Sequence, residues 1–253
     1  MAIPEKRKYK KNYLSQIIYQ LMFEASESIN NDSMKALRDE LSDDYSELAT
    51  IKQQGIILQN DGSKLSAETE DTLLWQIESL DKSHTIVVGK DSFAIIFVKY
   101  VNFREYEVII TKALGAFVSK FNGIKQINRL GLRYVNQIKP KLPMTQWSDY
   151  ISSKLTDSFS FVEENKSRRS MHSIVIAHDE ETLININYGV YNQYFPAPIV
   201  DREFILDIDA YTPSAIDVGD CSRLLGKFNK EIAIYFELSI EDKLRDEMEV
   251  IDA

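Results

Sequence analysis

Two short segments of this chain hold side chains whose types and spacing suit chemistry. In the first, Arg129, Gly131 and Arg133 alternate. On an extended strand they share one face, the arginines about 7 Å apart with the glycine leaving room between them. In the second, Asp207, Asp209 and Tyr211 alternate in the same way. If the two strands are near neighbours, two arginines meet two aspartates. One reading is a charge ladder that fixes strand register. The other is a polar floor for an anionic, nucleotide-like small molecule, with guanidinium forks on its phosphate or carboxylate. Asp207 and Asp209 alone could also hold a divalent cation, although such a site wants a third oxygen ligand that no motif supplies. Asn185 and Asn187, with Gly189, share the face opposite Ile184, Ile186, Tyr188 and Val190. They either meet water or line the same groove.

The other reactive residue types carry less. His172 and His178 have the same strand parity, but the sequence places no nucleophile beside them. Cys221 is the only cysteine, which excludes an intrachain disulfide and fits a reducing compartment. No GxSxG, Walker-type or GxGxxG spacing occurs, so the reading leans away from an enzyme without excluding one, and no cofactor or metal is expected. Tyr191, Tyr194 and Phe195 sit in a loop ahead of Pro196 and Pro198, a composition suited to a protein contact or an oligomer interface. Lys6, Arg7, Lys8, Lys10 and Lys11 make a basic tail. It reads as a flexible terminus over residues 1–12, or as an arm for nucleic acid, although a net charge of −9 disfavours that partner.

The elements that position these residues follow from periodicity. Alternation over Tyr13–Phe23 predicts a half-buried strand. Asn31-Asp32-Ser33 then starts an amphipathic helix through Met34, Leu37, Leu41, Tyr45 and Leu48, ending before Gly55. Residues 59–70 read as an exposed loop. Strands at 74–80, 85–89 and 92–100 precede a helix capped by Asn102 and closed near Asn122-Gly123. A long strand at 124–138 ends that half. The second half expects a short helix at 147–155, a hairpin of 170–177 with 182–191, and a strand at 203–211. A helix then opens at Thr212-Pro213-Ser214 and runs to about Leu238, followed by a last one to Met248.

Hydrophobic residues make up 44% of the chain and charged residues 27%, enough apolar mass for a packed core. The expected class is α+β: antiparallel sheet, single or split, with long helices packed on one face, in two similar β-β-β-α halves. Residues 13–253 are expected to form one domain, with halves at 13–140 and 141–253. No apolar run reaches the roughly 18 residues of a membrane span, so no membrane is expected and the location reads as cytoplasmic.

Arg129-Leu130-Gly131-Leu132-Arg133-Tyr134-Val135-Asn136 resembles the RxGLRYxN signature of an uncharacterised, sporadically distributed prokaryotic family. Leu206-Asp207-Ile208-Asp209-Ala210-Tyr211 resembles its LDIDxY strand. Trp75–Ser79 with Phe93–Tyr100 is similar to its central strand region, and Phe236–Ile240 with Lys243-Leu244-Arg245 to its ending, although Glu241 stands where that family prefers threonine. The resemblance spans nearly the whole chain and supplies no reaction. Patchy occurrence of this kind is similar to that of mobile and phage-defence genes. Two functions are therefore carried forward. One is a non-catalytic binding or assembly subunit or sensor of a bacterial anti-phage defence system, with a protein partner or a homo-oligomer. The other is an enzyme or receptor for an anionic small molecule on the polar sheet face.

Overall fold

The computed structural model describes residues 7–60, 65–140, 146–161, 167–199 and 203–251. The chain opens with β1 (Lys8–Tyr9), β2 (Leu14–Met22) and α1 (Asn31–Glu40). Four strands follow in succession: β3 (Tyr45–Asn60), β4 (Leu65–Ser79), β5 (His84–Val88) and β6 (Ser92–Phe97). After α2 (Phe103–Lys120) come β7 (Gln126–Ile127) and β8 (Arg129–Ile138). A short α3 (Ser153–Thr156) between 3-10 turns leads to the hairpin β9 (Ser170–Asp179) and β10 (Thr182–Val190), and then to β11 (Phe204–Tyr211). The chain closes with β12 (Ile216–Asp217), α4 (Cys221–Ser239), α5 (Asp242–Met248) and β13 (Val250–Ile251). The ladders are antiparallel, and the class is α+β as expected. Among the described residues no helix is long and apolar enough to cross a membrane.

The chain divides into two compact units. One is Met1–Ile17 with Gly131–Ser214 and Cys221–Ala253; the other is Ile18–Leu130 with Ala215–Asp220. The units are built of interleaved segments, because residues distant in sequence pair with each other. In the second unit, for instance, β12 joins β7, with Ile216 opposite Ile127.

In that second unit, Asn30 accepts hydrogen bonds from the backbone of Asp32 and Ser33 and starts α1. The helix stops at Glu40, short of the expected Leu48. Tyr45 and Leu48 belong to β3, where a register shift between them puts core-facing residues three apart and mimics helical spacing. The loop expected at 59–70 is a correction too: β3 extends through Asn60 and β4 begins at Leu65, while Asp61-Gly62-Ser63 lie outside the described residues. Ladder hydrogen bonds, which need no apolar alternation, carry this hairpin. Asn102 accepts from the Glu105 N–H at 3.1 Å and caps α2. That helix lays Phe117 on Phe93, with centroids 4.5 Å apart, and Tyr106 on Phe97, 4.4 Å apart. The strand expected at 124–138 is broken at Asn128, whose N–H turns to the Met22 carbonyl at 2.7 Å.

Within the first unit the strand order is β8-β11-β10-β9, and α4 lies against β11 with Leu224, Leu225, Phe228 and Ile232 buried. The helix begins at Cys221, not at Thr212, because Ile216–Asp217 is taken by the β12 ladder. The hydroxyl of Tyr134 on β8 donates to Asn229 Oδ1 of α4 at 2.9 Å, which ties helix to sheet. The expected flexible tail is ordered from Lys8. β1 pairs with β13, and the Tyr9 hydroxyl donates to Glu237 Oε1 at 2.6 Å. Arg245 meets the other oxygen of the same carboxylate at 3.1 Å. A buried carboxylate in need of donors thus holds the terminus in place.

Gly189 of β10 has φ +144°, and a Cβ there would lie 1.9 Å from the Ser170 carbonyl oxygen of β9. Gly189→Ala is expected to cost about 3 kcal/mol or more, read as a lower urea midpoint.

His84 is buried in the second unit, with Nε2 2.8 Å from the Tyr45 hydroxyl and Nδ1 2.9 Å from the Ser83 hydroxyl. Burial pushes the His84 imidazole below its ordinary value, with Asp81 and Asp44 acting in the opposite sense. The folded chain therefore favours neutral His84. Its contribution to stability is complete above the unfolded value of about 6.5 and is lost as pH falls through the lower folded value. Urea midpoints measured across this window should fall on acidification, and His84→Gln should flatten that dependence.

Candidate functional site

The residues singled out for an anion site converge in the first unit, and the ladder register explains how. Arg133 lies opposite Asp209, which lies opposite Asn185; Val135 lies opposite Asp207, which lies opposite Asn187. Directly opposed residues share a face, so Arg133, Asp207, Asp209, Asn185 and Asn187 form one polar ribbon across β8, β11 and β10. The other face carries Leu132, Tyr134, Leu206, Ile208, Ala210, Ile184 and Ile186, all buried on the side of α4. Arg129 shares the strand parity of Arg133 but belongs to the other compact unit and is not part of the ribbon.

Contacts within the ribbon run from side chain to side chain. Arg133 reaches diagonally to Asp207, donating from Nε to Oδ1 and from Nη2 to Oδ2, both at 2.7 Å. This is the bidentate fork that planar guanidinium and carboxylate groups prefer. Asn187 Nδ2 approaches Asp207 Oδ2 at 3.4 Å, and the Ser173 hydroxyl donates to Asn185 Oδ1 at 3.0 Å. The Asp207 side chain is only 6% exposed, whereas that of Arg133 is 44% exposed. Hydrogen bonding to Asp207 raises the Arg133 guanidinium above its ordinary value, against burial and with help from Asp209.

The other candidates fall elsewhere. His172 stacks between Phe159 and Tyr188, at 5.5 and 5.4 Å, with Ser170 Oγ 3.0 Å from its Nε2. His178 belongs to a cluster that sequence reading missed: its ligand atoms and those of Asp179 and Glu231 lie within 4.8 Å of one another. Glu231 comes from α4, so only the tertiary fold brings it there. The cluster already holds a cation, the Lys227 ammonium, 2.7 Å from Asp179 Oδ2 and 3.8 Å from Glu231 Oε1. Burial pushes the Glu231 carboxyl above the usual range.

Tyr191, Tyr194 and Phe195 are exposed, as expected, at 45%, 55% and 54%. The Arg169 guanidinium lies 5.4 Å from the Tyr191 ring centroid and 4.6 Å from that of Phe195. Of the basic tail, Lys10 and Lys11 both pair with Glu249, Arg7 and Lys8 are exposed, and Lys6 lies outside the described residues. A groove of about 320 Å³ in the second unit, lined by Phe23–Ser26 and Gly123–Gln126, contains none of the ribbon's residues.

No protein-family model matches the chain, and no curated protein matches it.

The fork yields a stability prediction. Arg133→Ala leaves a buried carboxylate without its cation and should cost about 2 kcal/mol, discounted from a fully buried pair because Arg133 is half-exposed. Replacing both partners with leucine should cost less than the sum of Arg133→Leu and Asp207→Leu, with a coupling of about 1 kcal/mol in urea denaturation.

Proposed function

We propose that this chain is a non-catalytic binding or assembly subunit that works through protein contacts. The observation that carries this reading is the Arg133–Asp207 fork. The guanidinium best placed to grip an anion already holds a buried carboxylate in the same layer, and the neighbouring amides bond within the ribbon. The exposed Tyr191, Tyr194 and Phe195 supply the kind of surface that protein interfaces use. Service as a subunit or sensor of a bacterial anti-phage defence system is the biological setting that the RxGLRYxN resemblance supports.

A second reading keeps the ribbon as a receptor for an anionic small molecule, with one specific observation in its favour: the Arg133 side chain is 44% exposed on the face away from α4. The two readings separate on the native protein. On the assembly reading, native mass spectrometry of the protein isolated from its own cells shows this chain bound to a second copy or to a different protein. Titration with ATP, GTP and inorganic phosphate then leaves the melting temperature of wild type unchanged. A nucleotide retained through purification, or a nucleotide-dependent rise in melting temperature that Arg133→Leu abolishes in a folded protein, would establish the receptor reading instead.

A further inference from the structure

β9 forms one edge of the first unit's sheet, and among the described residues no strand pairs with its outer side. Its sequence, Ser-Met-His-Ser-Ile-Val-Ile-Ala-His-Asp, holds no proline, lysine or arginine. Natural proteins usually guard an open edge with such residues, a bulge or a short strand. β9 is ten residues long, and its one bulge, at His178, lies at its far end, so alternate N–H and C=O groups point outward along most of its roughly 34 Å. Apolar side chains stand exposed along it: Met171 at 39%, Ile174 at 38% and Val175 at 60%. The aromatic loop continues this surface at the strand's start. Asn192 Nδ2 donates to the Arg168 carbonyl at 3.0 Å, and Arg169 stacks on Phe195.

Charge identifies the occupant. Arg168 and Arg169 precede the strand, while Asp179 and Glu180 close it. A strand that is basic at one end and acidic at the other complements itself when turned end for end. We infer that β9 pairs antiparallel with β9 of a second copy, about a two-fold axis through Ile174. In that register residue i lies opposite 348 − i over Met171–Ala177, since directly opposed residues must share a face and so have the same parity. The bulge at His178 draws the acidic end one rung inward, which brings Glu180 of the second copy opposite Arg169 at both ends. Asp179 turns to the α4 side and stays with Lys227. The two four-stranded arrays join into a continuous antiparallel sheet, and each aromatic loop flanks the other copy's hairpin turn. This names the partner within the assembly reading above and rests on that reading.

The test uses the full chain. Ile174→Cys puts a thiol on the axis, where opposed Cα atoms lie about 4.5–5.5 Å apart, within disulfide range. Mild oxidation should give a covalent two-chain species. Ala177→Cys, about 20 Å from its symmetry mate, should stay single-chain. Buried Cys221 is common to both variants. Glu180→Lys should weaken dimerisation about tenfold in light scattering, because two ion pairs become repulsions, and adding Arg169→Glu should restore it. A one-chain mass at every concentration overturns the pairing, and so does a dimer in which Ile174→Cys fails to cross-link or Glu180→Lys has no effect. Each of these leaves the assembly reading standing with a different partner or face. Nucleotide retention in the preceding experiment would overturn the assembly reading, whereas the cross-linking and charge-swap results report on the pairing alone, so the two failures are distinguishable.

Discussion

A carboxylate withdrawn from water on a sheet must have a cation within reach, and Asp207 sets that condition for the first unit. With 4% of the residue exposed, it lies between Leu206 and Ile208, and the two hydrogen bonds of the Arg133 fork stand in for the water it has lost. The fork runs diagonally, from Arg133 to the residue two positions before its direct opposite, Asp209. A one-residue slip of β8 against β11 would turn Arg133 toward the apolar side and Tyr134 away from Asn229. The charge pair therefore selects a register as well as adding stability. The same register seats Tyr134 under α4, so the polar and apolar faces of the sheet are fixed together.

This part of the molecule was legible in the sequence because strand geometry has a period of two. The alternation in Arg129-Leu130-Gly131-Leu132-Arg133 and in Asp207-Ile208-Asp209 states which side chains share a face before anything is known of their neighbours. Adjacency of the two strands was a conditional expectation, and the β8–β11 ladder meets it for Arg133. Other features were hidden for definite physical reasons. Tyr45 and Leu48 carry helical spacing because an irregular ladder can imitate it. Glu231 joins His178 and Asp179 only after α4 folds back. Arg245 and Tyr9 meet at Glu237 because β1 pairs with β13 at the far end of the chain. Local patterns carry no information about such contacts.

At the basic terminus, carboxylates elsewhere in the chain decide where the cations lie. Five cations within six residues look like an electrostatic arm. Yet Lys10 and Lys11 both face Glu249, and Tyr9 between them and Lys8 is anchored on Glu237. Desolvation together with the Glu237 hydrogen bond pushes the Tyr9 phenol well above its ordinary range, which keeps it a donor at any physiological pH. A segment pinned by a buried carboxylate and a two-stranded ladder is part of the packed unit. Its charge balances acidic residues at the other terminus.

Polar and apolar surfaces thus divide the work of the first unit. The ribbon's charges are consumed internally, which lets a sheet face meet solvent without unpaired ions. Several of the apolar side chains left outside lie on β9 and the adjoining loop, where no strand pairs with the outer edge among the described residues. An exposed valine alone calls for no explanation. Exposed Val175, Ile174 and Met171 on a ten-residue edge without proline, lysine or arginine do, because backbone groups and apolar area there can be satisfied by one and the same partner strand. Acidic and basic ends on that strand make its own copy the best match, since no other orientation or sequence is needed to complement both.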